Sequence, residues 1–77
     1  MLSITVREIV AGLGPAPAGD EAALDLDSLG VVMLVEALED RLGVRIGPRD
    51  VVPENLGSVA NICAFLARRG VCEAGPA

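Results

Sequence analysis

The chain has 77 residues and a mass of 7.9 kDa, which is enough for one small domain and excludes a multidomain enzyme. Hydrophobic residues make up 52% and charged residues 22%, so the chain can bury a core and does not have a disordered composition. Eleven acidic residues against six Arg give a net charge of −5, which disfavours nucleic acids and anionic membranes as partners and favours proteins with basic patches. One Phe is the only aromatic residue, so the chain also lacks the rings on which unpaired bases stack.

The first predicted helix follows from apolar residues that recur at helical spacing. At about 100° per residue, one face of the helical wheel collects Leu2, Val6, Ile9, Val10 and Leu13. We expect this helix to begin near Ser3 or Thr5 and to stop at Gly14–Pro15. A connection rich in Pro and Gly then runs to residue 27, and connections of that length in small domains are usually functional or disordered. Leu24 and Leu26 are expected to anchor its second half to the core.

The second helix is predicted from Ser28 to Leu42, with Gly43 as its left-handed terminating residue. Its buried stripe is expected to contain Val31, Leu34, Val35, Leu38 and Leu42. The opposite face collects Leu29, Met33, Glu36 and Asp40, with Ala37 and Glu39 on its flanks. Apolar and acidic groups on one solvent-facing surface indicate a contact surface. The alternative is that Val32 and Met33 cover the edge of the core and that the acids are only solvated.

The second half of the chain predicts shorter elements. Residues 44–52 are expected to form a loop with apolar anchors, and Pro53–Leu56 a single helical turn. Gly57–Ser58 should break that turn and cap a last helix that ends at Gly70. The buried face of this helix is predicted to hold Ile62, Cys63 and Leu66, with Phe65 beside it and Arg68 and Arg69 in the last turn. The fold class is therefore all-α, a small up-and-down bundle of three main helices plus one short helix, with residues 1–70 as the domain and 71–77 as a flexible tail.

The side chains available for chemistry are few. The chain has no His, Lys or Tyr, so catalysis by the chain alone is not expected, and no metal site is predicted. Cys63 and Cys72 are too few for a disulfide framework, and we interpret them as free thiols in a reducing compartment. No signal peptide or membrane span is indicated, which predicts a cytoplasmic location. An enzyme that uses Cys72 is a remote alternative.

Asp27 and Ser28 form the one constellation that suggests chemistry. The long connection delivers a hydroxyl to the first turn of a helix, where unpaired backbone N–H groups and the helix dipole favour a phosphate. Gly30 costs the helix about 1 kcal/mol relative to Ala, which is explained if something approaches the backbone closely. The alternative is that Asp or Ser is an ordinary helix cap. Neither has Glu or Gln three residues later, so no capping box explains the pair.

Residues 24–29, Leu-Asp-Leu-Asp-Ser-Leu, together with Leu42–Ile46 and Val52–Leu56, resemble the acyl carrier protein and peptidyl carrier protein family. The resemblance extends over most of residues 24–69. It implies an acyl-carrier-like fold in which Ser28 receives a 4′-phosphopantetheine arm from coenzyme A, while Asp27 helps the modifying transferase and its metal engage the site. The implied partner-binding face consists of Leu29, Met33, Glu36, Ala37 and Asp40.

Two positions depart from the pattern of that family. Asp25 stands where family members often have Gly, which affects the expected loop geometry. Met33 stands where fatty-acid carriers commonly have an acid, which suggests partners other than the standard fatty-acid synthase enzymes.

The function implied by the resemblance is that of a freestanding, monomeric acyl or aminoacyl carrier that is not itself an enzyme. Its partners would be a phosphopantetheinyl transferase, a loading enzyme, and a downstream synthase or transferase with a basic docking patch. Polyketide or nonribosomal peptide biosynthesis is the preferred pathway. The alternatives are a housekeeping fatty-acid carrier and an unmodified helical adaptor that binds one protein through the Leu29–Met33–Glu36–Asp40 face.

Overall fold

The structure of the protein is a computed structural model that describes residues 2–14 and 17–71. Within these ranges the chain forms four α-helices and one 3-10 turn, and no strand. The helices are α1 (Leu2–Ala11), α2 (Ser28–Leu42), α3 (Pro53–Leu56) and α4 (Val59–Arg68), and the 3-10 turn is Pro48–Asp50. The predicted all-α bundle of three longer helices and a short one is confirmed. Cys72 and residues 73–77 of the predicted tail lie outside the described residues.

The core is aliphatic, as the composition requires, with one aromatic ring. Helix α4 packs against α1 and α3, and α1 also packs against α2. The buried hydrophobic residues are Val6, Ile9, Val10, Leu34, Leu38, Ile46, Leu56, Val59, Ile62, Phe65 and Leu66. All four helices contribute to this cluster. The position of each helix is therefore set mainly by the burial of its apolar face.

Helix α1 begins at Leu2 and ends at Ala11, so it starts and stops earlier than predicted. The end is early because the backbone tightens: the N–H of Gly12 bonds the carbonyl of Ile9 at 3.1 Å, and the N–H of Leu13 bonds that of Val10 at 3.0 Å. Leu13 remains half-buried against the core beyond the end of the helix. The predicted apolar face is confirmed for Val6, Ile9 and Val10, and the side chain of Leu2 lies outside the described part.

Helix α2 has the bounds that the sequence predicts. Gly43 follows it with φ of +66° and donates its N–H to the carbonyl of Glu39, as expected for a left-handed terminating residue. Of the predicted buried stripe, Leu34 and Leu38 are fully buried, whereas Val31, Val35 and Leu42 are only half-buried. The buried stripe of α2 is therefore narrower than predicted.

The segment after α2 differs from the predicted loop in one element. Pro48–Asp50 forms a 3-10 turn, because the Pro48 ring presets the backbone and the Asp50 carboxylate accepts the N–H of Gly47 at 3.1 Å. The predicted turn Pro53–Leu56 is confirmed as α3. Ser58 caps α4 as predicted, since its Oγ accepts the N–H of Asn61 at 3.1 Å.

Two side chains of α4 differ from their predicted burial. Phe65 was expected beside the buried face and is 3% exposed, within the core. Cys63 was expected on that face and is half-buried, packing against the edge of the core. The Arg69 guanidinium lies 5.5 Å from the centroid of the Phe65 ring, so this cation covers the outer side of the aromatic residue.

None of the helices in the described ranges has the length and apolar character needed to cross a membrane.

Substitution of Leu38 should test the assignment of the α2 faces. Leu38→Ala removes a fully buried side chain and is expected to lower the free energy of unfolding by about 2–5 kcal/mol. Met33→Ala, on the exposed side of the same helix, should change it by no more than about 0.5 kcal/mol. Urea denaturation followed by circular dichroism measures both. Equal losses for the two variants would contradict the assignment.

Candidate functional site

The long connection of residues 12–27 reaches the start of α2 through contacts with two other elements. The Arg7 guanidinium of α1 donates two hydrogen bonds to the Asp20 carboxylate, at 2.8 Å from Nε and 2.5 Å from the terminal nitrogen. The backbone carbonyl of Asp20 accepts the N–H of Ala60 in α4 at 2.8 Å, and the N–H of Leu24 donates to the carbonyl of Gly57 at 2.8 Å. These bonds fix the path of the connection where it lacks regular structure.

The Arg7–Asp20 pair is reflected in the titration of both groups. The hydrogen bond from Arg7 is the main cause that lowers the pKa of the Asp20 carboxyl, and the same bond raises the pKa of Arg7. A carboxyl with a lowered folded-state pKa stabilises the fold above its unfolded pKa, and this contribution is lost as the pH falls through the folded pKa. The pair is therefore intact at neutral pH.

The leucines of the connection also hold it in place, as predicted. Leu24 and Leu26 are half-buried and pack against the core. Leu26 lies directly before the cap of α2 and its side chain approaches Gly30: a Cβ on Gly30 would meet the Leu26 side chain at 3.2 Å and Asp27 Oδ1 at 3.3 Å. The close approach that Gly30 indicated is therefore made by the chain itself.

Asp27 is the residue that caps α2. Its backbone is extended, and its Oδ1 accepts the N–H of Gly30 at 2.8 Å, while its carbonyl accepts the N–H of Val31 at 2.9 Å. The sequence left open whether Asp27 or Ser28 is the cap, and this geometry assigns the role to Asp27. Ser28 is then the first residue of the helix, where its side chain is not needed for capping.

Ser28 lies exposed at the start of α2. Among the residues that the structure describes, none forms a hydrogen bond with its hydroxyl. In the same ranges the N–H groups of Ser28 and Leu29 have no bonded acceptor, because no turn of helix precedes them and the Asp27 side chain accepts only the N–H of Gly30. An exposed hydroxyl beside two open N–H groups fits the attachment of a phosphate through this oxygen.

The predicted partner face is exposed on the outer side of α2. Leu29 is 67% exposed and Met33 is 46% exposed, and the carboxylates of Glu36 and Asp40 lie in solvent. Ala37 is half-buried against the core at the flank of this face. The alternative that Val32 and Met33 cover the edge of the core is not supported, since both are exposed and neither packs against the core cluster. Three apolar side chains therefore lie in solvent beside two acids.

Glu39, which the sequence placed on the other flank, has a structural role that the sequence did not predict. Its Oε2 accepts the N–H of Ile46 at 2.9 Å and so fixes the start of the segment after α2. Ile46 is buried and closes this end of the core. The two residues are seven positions apart, and Ile46 lies beyond the end of α2. Helical periodicity therefore does not predict this hydrogen bond.

An apolar cleft of about 210 Å³ lies on the side of Leu24 and Leu26 that faces α3. It is lined by Leu24, Leu26, Val31, Val51, Val52, Pro53, Leu56 and Gly57. Val51 and Val52, which line this cleft, are each 37% exposed. Both valines fall in the predicted loop of residues 44–52, where no sequence pattern marks them as part of a site.

In the described ranges no three or more carboxylate or thiol side chains are grouped so that they could hold a metal ion. The site offers a hydroxyl at the start of α2 and an adjacent carboxylate that caps the helix.

The four-helix fold is that of an acyl-carrier-like bundle, and the family that the chain matches is one of carrier domains rather than catalytic ones. The chain matches the family model described as the phosphopantetheine attachment site over residues 4–66, which is well over half of its length. It therefore belongs to the phosphopantetheine-attachment family and carries covalently attached 4′-phosphopantetheine, as the resemblance implied. No curated protein and no solved structure matches the chain significantly.

Removal of the cap should separate the roles of the two neighbouring residues. Asp27→Ala leaves the N–H of Gly30 without its acceptor and is expected to lower the free energy of unfolding by about 1 kcal/mol. Ser28→Ala removes a hydroxyl that caps nothing and should change it by no more than about 0.5 kcal/mol. Urea denaturation of both variants is the measurement. The reverse order of the two losses would show that Ser28 is the cap.

Proposed function

We propose that Ser28 is the attachment point of 4′-phosphopantetheine and that the chain moves acyl or aminoacyl groups between partner enzymes. The single observation that supports this assignment is the exposed Ser28 hydroxyl, which has no bonded partner in the described ranges. The chain has two other serines: Ser58 is 6% exposed and is occupied as the cap of α4, and Ser3 lies in the first turn of α1.

The residues around Ser28 suit a phosphodiester on its oxygen. The N–H groups of Ser28 and Leu29 and the positive end of the α2 dipole would face the negative phosphate. Asp27 keeps its carboxylate on the N–H of Gly30 and thereby holds the first turn in its helical form. We propose that the exposed side of this carboxylate also helps the transferase and its metal engage the site.

When attached, the arm supplies a terminal thiol that holds the cargo as a thioester and gives it reach to separate active sites. The polypeptide contributes the surface that partners recognise. Neither Cys63, which is half-buried, nor Cys72, which lies outside the described residues, is assigned that function.

The exposed face of α2 is the proposed docking surface for these partners. It consists of Leu29, Met33, Glu36, Ala37 and Asp40. The carboxylates favour partners with basic patches and speed their encounter, while the small apolar area allows rapid release after each step. The partners that we propose are a phosphopantetheinyl transferase, a loading enzyme, and a downstream synthase or transferase.

Polyketide or nonribosomal peptide biosynthesis is the proposed pathway, with the chain acting as a monomer in the cytoplasm. The support is the exposed Met33 in a position where the resemblance leads us to expect an acid in fatty-acid carriers. An apolar residue at the centre of the docking face favours partner surfaces with a matching apolar contact.

Modification in vitro tests the assignment of Ser28. The apo chain, incubated with coenzyme A and a broad-specificity phosphopantetheinyl transferase, should gain the mass of one phosphopantetheinyl unit. Ser28→Ala should gain none, because the accepting oxygen is absent, and Ser3→Ala should gain the full unit. Intact-mass spectrometry measures all three. A wild-type chain without the mass gain would instead support the unmodified adaptor, and a modified Ser28→Ala would move the attachment point elsewhere.

Charge reversal tests the docking surface. Glu36→Lys and Asp40→Lys together should reduce the rate of modification by about tenfold at low salt, since the attraction to a basic partner becomes repulsion. The fold should be unchanged, because both side chains are exposed. Glu21→Lys together with Glu54→Lys makes the same change of charge on exposed residues outside this face and serves as the control. Equal rates for the two double variants would contradict the assigned surface.

A further inference from the structure

Asp20 is the point at which the connection of residues 12–27 is held by two helices at once. Its carboxylate accepts two hydrogen bonds from Arg7 of α1, and its carbonyl accepts the N–H of Ala60 in the first turn of α4. No other residue of this connection, in the part that the structure describes, bonds to both α1 and α4. We call the Arg7 side chain, Asp20 and the N–H of Ala60 the loop clamp.

Beyond Asp20, in the part that the structure describes, the connection is held by the packing of Leu24 and Leu26 against the core and by backbone hydrogen bonds. The hydrogen bond from Leu24 to the carbonyl of Gly57 is the next one, and the bond from Ala22 to Gly19 lies within the connection itself. The loop clamp and the Leu24 bond therefore hold the two ends of residues 20–24, and the packing of Leu26 holds the chain next to the Asp27 cap. Asp20 sets the position from which residues 21–27 run to the start of α2.

The loop clamp fixes the orientation of the connection and contributes little to the free energy of unfolding. The side chains of Arg7 and Asp20 are 53% and 37% exposed, and exposed ion pairs contribute little to the free energy of unfolding. Two parallel hydrogen bonds nevertheless fix orientation as well as distance. Loss of the loop clamp should therefore release the connection while the bundle stays folded.

We propose that Arg7 and Asp20 are positioning residues for the modification of Ser28, holding the connection in the conformation that the transferase binds. This inference rests on the proposed function. When the loop clamp is lost, only a fraction of the molecules presents Ser28 correctly. The apparent KM for the carrier then rises by the inverse of that fraction, and kcat is unchanged because the bound state is the same.

The kinetic experiment uses the full apo chain, coenzyme A and a broad-specificity phosphopantetheinyl transferase. Asp20→Ala is expected to raise the KM for the carrier about fivefold with kcat unchanged, which corresponds to a competent fraction of about one fifth. Glu8→Ala is the matched control, since it also removes one exposed carboxylate and its partner Arg41, at 3.3 Å, lies on α2 rather than on the connection. Its KM should equal that of the wild type. Arg7→Glu combined with Asp20→Arg should restore most of the lost affinity.

Amide hydrogen exchange of the same apo variants gives a readout that is independent of the transferase. The N–H of Ala60 bonds the carbonyl of Asp20, so its exchange in Asp20→Ala should accelerate about tenfold as the connection opens. The N–H of Ile62 bonds the carbonyl of Ser58 at 2.9 Å within the buried start of α4 and should exchange at the wild-type rate.

Three results would overturn the inference. An unchanged KM in Asp20→Ala, with a wild type that is modified, contradicts the positioning role alone. A raised KM accompanied by equally faster exchange of Ile62 shows general loosening of the fold and also contradicts it. A wild-type chain that gains no phosphopantetheinyl unit contradicts the proposed function itself, and the positioning role with it.

Discussion

The hydrogen bond from the N–H of Gly30 to the Asp27 carboxylate determines how Ser28 is presented. Because Asp27 satisfies the first turn of α2, the serine that follows needs to cap nothing and its hydroxyl remains in solvent. In the described ranges the N–H groups of Ser28 and Leu29 have no bonded acceptor, which suits the phosphate that we propose on the Ser28 oxygen. The structural role of Asp27 and the chemical role that we propose for Ser28 thus fall on two adjacent residues.

This arrangement depends in turn on an irregular connection being held in place. The Arg7–Asp20 pair and the carbonyl of Asp20 tie it to α1 and α4, while Leu24 and Leu26 anchor it to the core. The closeness of Leu26 to Gly30 explains why a glycine is tolerated inside a helix that would otherwise favour alanine. These contacts fix the position of the end of the connection, next to the start of α2, although the connection lacks regular structure.

The sequence predicted most of the bundle because its signals are local. Helical periodicity located the core positions Leu34 and Leu38, and Gly43 and Ser58 marked the end of one helix and the start of another. The exposed face of α2 followed from the same periodicity.

Other features depend on contacts between residues outside one helix, and helical periodicity does not predict such contacts. The bond from Ile46 to Glu39, the cleft beside Val51 and Val52, and the Arg7–Asp20 pair belong to this group. The choice between Asp27 and Ser28 as the cap required backbone geometry, since both residue types favour that position. Helix α1 ends early because of backbone hydrogen bonds at Gly12 and Leu13, and no sequence motif predicts these bonds.

The most direct measurement of the central claim is to locate the modified residue by peptide mass spectrometry. Cleavage after arginine places each of the three serines of the chain in a different peptide, with Ser28 in the fragment of residues 8–41. After incubation with coenzyme A and a transferase, the phosphopantetheinyl mass should appear on that fragment, and fragmentation should assign it to Ser28. The same mass on the fragment that holds Ser3 or Ser58 would contradict the account.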